Sequence, residues 1–192
     1  MAVASITGHR RVEPLWRPAR RLNRSEIPEK VWPWLLDKAS LTERIIGACP
    51  GRFRVQVVNQ KRGRVLRNEA HTLNMRAGTH AIVRQVQLVC GETPWVYART
   101  VIPPATLNRR LRRLVRLGSR SLGATLFSDP SMKRGEVEVT CLTASDELYR
   151  SVTGGLSRKP EAIWGRRSVF RLGGKPLLVC EFFLPEIGEF TE

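Results

Sequence analysis

The run THAIVRQVQLVCGETPWVYARTVIPP, Thr79 to Pro104, leaves this chain little freedom. Two β-rich segments meet at a turn around Gly91 and Glu92, and Pro103 with Pro104 stops the second, so the run predicts a long hairpin. RRSVFRLGGKPLLVCEFFLP predicts another around Gly173 and Gly174. In RFRVQVVNQ, Phe53, Val55 and Val57 alternate with Arg52, Arg54 and Gln56, the period of a half-buried strand. RGEVEVTCL returns to strand, and a short strand is expected around Arg64 to Arg67. Helices fall between these units in blocks. Lys30 to Asp37 predicts a short helix interrupted near Pro33, and Ser40 with Glu43 has capping-box spacing, so a helix should begin at Leu41. SLGATLF predicts a short helix opening at Ser121. Hairpins separated by helical blocks specify an α+β fold, a single domain with a largely antiparallel sheet covered by helices.

Two charged residues stand against this frame. On the last strand Val179, Glu181 and Phe183 share one face, while Leu178, Cys180 and Phe182 share the other. In the earlier hairpin Arg84 falls with Ile82 and Val86 on the more apolar side. A buried charge without a partner is costly. Glu181 and Arg84 therefore pair with each other, meet other internal partners, or line a cavity that receives a polar ligand, and periodicity alone leaves all three open.

The formal charge of +16 raises nucleic acid as a partner, because clustered Lys and Arg gain affinity from counterion release. Much of the excess lies in the first residues and in TLNRRLRRLVRLGSR, where Leu107, Leu111 and Leu114 recur at helical spacing among Arg109, Arg110, Arg112, Arg113 and Arg116. No aromatic residues interleave with these arginines as stacking platforms, so a solvated basic helix face is the reading taken and no nucleic acid is expected. Cys49, Cys90, Cys141 and Cys180 form no C-x-x-C pair, and His9, His71 and His80 form no cluster, so neither a zinc site nor a disulfide framework is expected. No apolar stretch approaches the roughly 20 residues that cross a bilayer, so no stable membrane insertion is expected and the cytoplasm is the expected compartment.

Three ordered blocks, GETPWVYARTVIPPATL, RLGSRSLGATLFSDPSMKRGEVEV and IWGRRSVFRLGGKPLLVCEFFLP, resemble the chorismate lyase family of the proteobacterial ubiquinone pathway. The resemblance implies conversion of chorismate to 4-hydroxybenzoate and pyruvate without metal or organic cofactor. It also implies a six-stranded antiparallel sheet flanked by helices, with helical flaps over an internal pocket. Residues 29–188 would form this domain as a monomer, behind a basic, flexible tail over 1–28, and 140–161 would be a loop insertion. Carried over residue by residue, the resemblance makes Arg84 the group that binds the ring carboxylate and Glu181 the group that meets the ring hydroxyl. Leu122 contributes a main-chain contact, and Leu41 stands where the family commonly has methionine. Ala98 replaces the family's usual glycine.

The chemistry suits the two charged residues. An arginine fork fixes a planar carboxylate through two parallel hydrogen bonds. Carboxylates in apolar settings hold protons more tightly, which would let Glu181 hold or pass one beside the breaking ether or the developing phenol. Arg84 and Glu181 are then expected to face a common cavity without touching. The competing reading is a domain that senses a small carboxylate without changing it, as in effector domains of transcription regulators. Such domains normally follow a winged helix, and the stretch before Trp32 is too short and too rich in Arg and Pro to make one.

Overall fold

The computed structural model describes residues 12–108 and 111–187. Its strands are β1 (Arg17–Pro18), β2 (Phe53–Arg64), β3 (His80–Cys90), β4 (Thr93–Ile102), β5 (Met132–Arg134), β6 (Glu138–Leu142), β7 (Ile163–Leu172) and β8 (Lys175–Phe183). They form one antiparallel sheet in the order β1-β6-β7-β8-β4-β3-β2, with β5 alongside β7. Its helices are α1 (Trp32–Leu36), α2 (Leu41–Ala48), α3 (Arg67–Thr72), α4 (Leu122–Phe127) and α5 (Tyr149–Thr153). The α+β class and the antiparallel sheet are as expected, but the sheet has eight strands rather than six. The two short ones, β1 and β5, are of two and three residues, too brief for a period of two to register in sequence.

Both predicted hairpins form. Gly173 and Gly174 have φ of 52° and 78°, the left-handed pair that a tight two-residue turn requires, and Leu172 pairs with Lys175 across it. The β3–β4 hairpin is less regular. Cys90 pairs with Thr93 and Val89 with Pro94, but Leu88 pairs with Val96, so Trp95 is an extra residue in β4. Without that bulge Arg84 would lie opposite Arg99; with it Arg84 lies opposite Thr100. A second bulge leaves Val58 unmatched in β2, and from there Gln60 pairs with Arg84.

These registers sort the sheet into two buried faces. One packs against α1 and α2, where Trp34, Leu35, Leu41 and Ile45 meet Val86, Val96 and Phe183, and Trp34 meets Trp95 edge to face at 6.4 Å between centroids. The other packs Tyr97, Val101, Leu178, Cys180 and Phe182 against Ala70, Tyr149 and Val152 of α3 and α5. Arg99 lies on this second face and donates from Nε and Nη2 to Glu69 at 2.7 and 2.9 Å, a buried bidentate pair.

Several local expectations change. No strand spans Arg64 to Arg67: Arg64 ends β2, and Arg67 opens α3 because the Glu13 carboxylate accepts from the backbone N–H of Arg67 and Asn68 at 2.6 and 2.8 Å. Residues 12–28, read from sequence as part of a tail, make ordered contacts: Arg17 pairs with Val139 in β6, and Val12 bridges Asp146. The arginine-rich segment is a 3-10 helix over Leu111–Arg116, with Leu111 and Leu114 buried at the i, i+3 spacing that suits three residues per turn; Arg109 and Arg110 lie outside the described residues. Within 140–161, Tyr149 and Val152 of α5 are core residues. Cys49 and Cys90 are joined by a disulfide, contrary to the expectation of none. Spacing rules could not find it: Cys49 follows α2, and Cys90 arrives beside it only because β3 pairs with Phe53.

Candidate active site

The α1–α2 face of the sheet carries a continuous row of partners. Val86 in β3 pairs with Ala98 in β4, Ala98 with Glu181 in β8, and Glu181 with Arg166 in β7. One row over, Gln60, Arg84, Thr100, Val179 and Ser168 follow one another across five strands. Opposite residues of paired strands point to the same side, so Arg84 and Glu181 share a face two strands and two residues apart, about 12 Å between Cα atoms.

Both line one cavity of about 40 Å³. Val55, Val86, Leu88, Ala98 and Val179 form its apolar floor, and the starts of α2 and α4 form its roof with Leu41, Thr42, Ser121, Leu122 and Gly123. The roof is built by the helix starts. Ser40 accepts from the backbone N–H of Glu43, Ser121 accepts from that of Ala124, and the hydroxyls of Thr42 and Ser121 bond to each other at 2.7 Å. Gly123 permits this approach, because a Cβ there would stand 2.8 Å from Thr42 Oγ1.

The two charged residues have separate partners. Arg84, 2% exposed, donates from Nη1 to Gln60 Oε1 at 2.8 Å and from Nη2 to the carbonyls of Gly118 and Arg120 at 2.8 and 3.3 Å. Those acceptors are neutral, and burial holds the guanidinium below its ordinary pKa, so an anion in the cavity would relieve it. Glu181 Oε2 accepts from Arg166 Nε at 2.6 Å. Arg166 is 1% exposed, and its Nη1 donates to the carbonyls of Trp34 and Asp37 at 2.8 and 2.6 Å. The Glu181 carboxylate is thus aimed by a fixed guanidinium, and the purely apolar setting inferred from sequence is replaced by an ion pair. Arg84, Glu181, Leu41 and Leu122 all border the cavity.

Sequence reasoning gave no role to Arg166, Arg134, Gln60 or the Thr42–Ser121 pair. Arg166 was within reach. Counting outward from the turn at Gly173 and Gly174 sets Leu172 opposite Lys175 and then Arg166 opposite Glu181. Gln60 was not, because its face depends on the bulge at Val58.

The chorismate lyase family profile matches residues 11–190. A probable chorismate pyruvate-lyase from Azoarcus sp. (strain BH72) is 43% identical over 177 residues, 90% of each chain. Another from Nitrosospira multiformis is 38% identical and covers 92% of this chain and 96% of the relative. Among solved structures, the C-terminal domain of the histidine utilization repressor from Pseudomonas syringae pv. tomato superposes with a TM-score of 0.55 at 14% identity, covering 73% of this chain and 100% of that one. PhnF from Mycobacterium smegmatis gives 0.56 at 13% identity, covering 81% and 68%. At such identities the structures share the fold and no more.

Proposed function

The chain belongs to the chorismate lyase family, and on that footing we propose how its cavity carries out the family's reaction. The enzyme is a carbon–oxygen lyase that converts chorismate to 4-hydroxybenzoate and pyruvate, the first step toward ubiquinone. The bond between the ring carbon and the ether oxygen breaks, with its electron pair going to the departing enolpyruvate. A proton leaves the ring carbon that bears the hydroxyl, the ring becomes aromatic, and the enolpyruvate methylene gains a proton to give pyruvate.

The observation that carries the assignment is the placement of Arg84 and Glu181 on one sheet face, in one cavity, each with its own partner. In this reading Arg84 grips the ring carboxylate, using the guanidinium edge that Gln60 and two carbonyls leave free. Glu181, oriented by Arg166, accepts from the ring hydroxyl through Oε1 and acts on the proton that moves there. Main-chain groups at Leu122 and Leu41 complete the contacts. The helix starts of α2 and α4, which roof the cavity, act as flaps that lift to admit chorismate and close over it. A monomer is the working unit of this reading, and its water-soluble substrate suits the cytoplasm.

Purified protein mixed with chorismate should release pyruvate and 4-hydroxybenzoate in equal amounts, and absence of either would refute the assignment. Arg84→Ala should lose both turnover and affinity for 4-hydroxybenzoate. Glu181→Gln should lose turnover with a changed pH profile; full activity at every pH would remove its proton role.

A further inference from the structure

Chorismate carries two carboxylates, and the reading above, on which this inference rests, employs Arg84 for one. The second hangs from the ether, one ring carbon away from the hydroxyl. With the hydroxyl at Glu181, the enolpyruvyl arm lies at the Arg166 end of the cavity, away from Arg84. We propose that Arg134 forms a second anion subsite there and receives the enolpyruvyl carboxylate.

Three arginines line the cavity, Arg84, Arg134 and Arg166, against one carboxylate, Glu181, leaving an excess of positive charge that a dianion would neutralise. Arg166 is already occupied by Glu181 and two carbonyls. Arg134 is held by neutral acceptors alone: Nε donates to Ser168 Oγ at 3.1 Å, and Nη1 to the carbonyls of Asp37 and Lys38 at 3.3 and 3.1 Å. It lies over the Phe170 ring at 5.4 Å. These contacts fix the guanidinium plane and leave Nη2 free of them. Two buried arginines of the sheet carry a carboxylate partner, Arg99 with Glu69 and Arg167 with Glu138, whereas Arg134, like Arg84, is held by neutral groups. Among the described residues Arg134 bonds no carboxylate. Burial and the neighbouring Arg166 together hold its pKa below the ordinary guanidinium value, which is the state an incoming carboxylate would relieve.

The position also suits departure. Arg134 also lines an outer groove with Arg20, Leu36, Lys38, Glu136 and Val137, so its side chain borders both the cavity and this groove. Pyruvate, released at Arg134, would leave by this groove while Arg84 retains the aromatic product.

The test compares ligands with one and two carboxylates. Arg134→Met should lower kcat/KM for chorismate by about 10- to 100-fold, the size expected for a lost charged hydrogen bond. It should change the inhibition constant of 4-hydroxybenzoate by less than about threefold, and Arg134→Lys should recover part of the loss. In calorimetric titration the stable dicarboxylate 3-(carboxymethoxy)-4-hydroxybenzoate should weaken selectively in Arg134→Met. Equal losses for both ligands, or none for either, would overturn the subsite. Should the methionine variant not fold, the wild-type protein decides: affinity for the dicarboxylate must fall more steeply with salt than that for 4-hydroxybenzoate, and equal slopes overturn the proposal. If the wild type makes no pyruvate from chorismate, the lyase reading fails, while the two-ligand comparison still tests the subsite.

Discussion

Reducing the Cys49–Cys90 disulfide should destabilise the protein by about 4 kcal/mol. The bridge closes a loop with a sequence separation of 41 residues. In the chain-entropy treatment a loop of that length restricts the unfolded chain by about 13 cal/mol/K, or about 4 kcal/mol at 25 °C. At about 2–4 °C per kcal/mol for a chain of this size, Tm should fall by about 8–16 °C. Alkylation of the denatured protein should label two thiols, Cys141 and Cys180, before reduction and four after it. Melting the oxidised protein, the reduced protein and Cys49→Ser in parallel then reads the effect. The bridge sits at the far end of α2 from the cavity, and the roof is held separately by Thr42 and Ser121, so kcat/KM at 25 °C should stay within about twofold. Oxidised and reduced forms melting within about 2 °C of each other would refute the loop-closure reasoning. Because thiols stay reduced in most cytosols, the same comparison measures how much stability a reducing compartment would remove.

Glu69→Ala should cost about 3–5 kcal/mol in denaturant unfolding, since it strands the buried Arg99 guanidinium; 4-hydroxybenzoate affinity should survive, because the pair lies on the opposite sheet face. Gly123→Ala should press a methyl group against Thr42 Oγ1 and loosen the roof. Weaker inhibition by 4-hydroxybenzoate in progress curves would show this, and unchanged inhibition would dismiss the flap role. Burial pushes the Tyr97 hydroxyl up to about 12 from 10.0. Below pH 10 both folded and unfolded chains keep that proton; between 10 and 12 only the folded chain does, so stability falls with rising pH by up to about 3 kcal/mol. Tyr97→Phe should lack that alkaline component in pH-dependent melts.

Much of this arrangement is legible from residues. Ser40 and Ser121 announce their helices, the paired glycines announce the last hairpin, and strand parity marks Arg84 and Glu181 as charges on apolar faces. The partner of Glu181 follows from counting across a two-residue turn. What escapes is whatever depends on a third strand or on a local irregularity. Whether Arg84 and Glu181 lie on the same side of the sheet depends on Trp95, a residue whose type gives no hint that it is supernumerary. The disulfide and the capping of α3 by Glu13 join segments far apart in sequence, so no local window contains both partners. Arg134 sits in a three-residue strand that carries no period at all.

The extra residue at Trp95 has a bearing on how such a chain can drift. A side chain in a strand occupies one of two states, up or down, so faces follow odd and even numbering. Gaining a single residue after Cys90, with two residues still forming the turn, would invert that parity for β4 and the strands beyond it relative to β3. Arg84 would then exchange Thr100 for Arg99 as its neighbour and find Glu181 behind the sheet. A change of two residues would preserve parity and alter only the loop. Length variation at this turn should therefore be tolerated in pairs, a constraint that no collection of point substitutions would reveal.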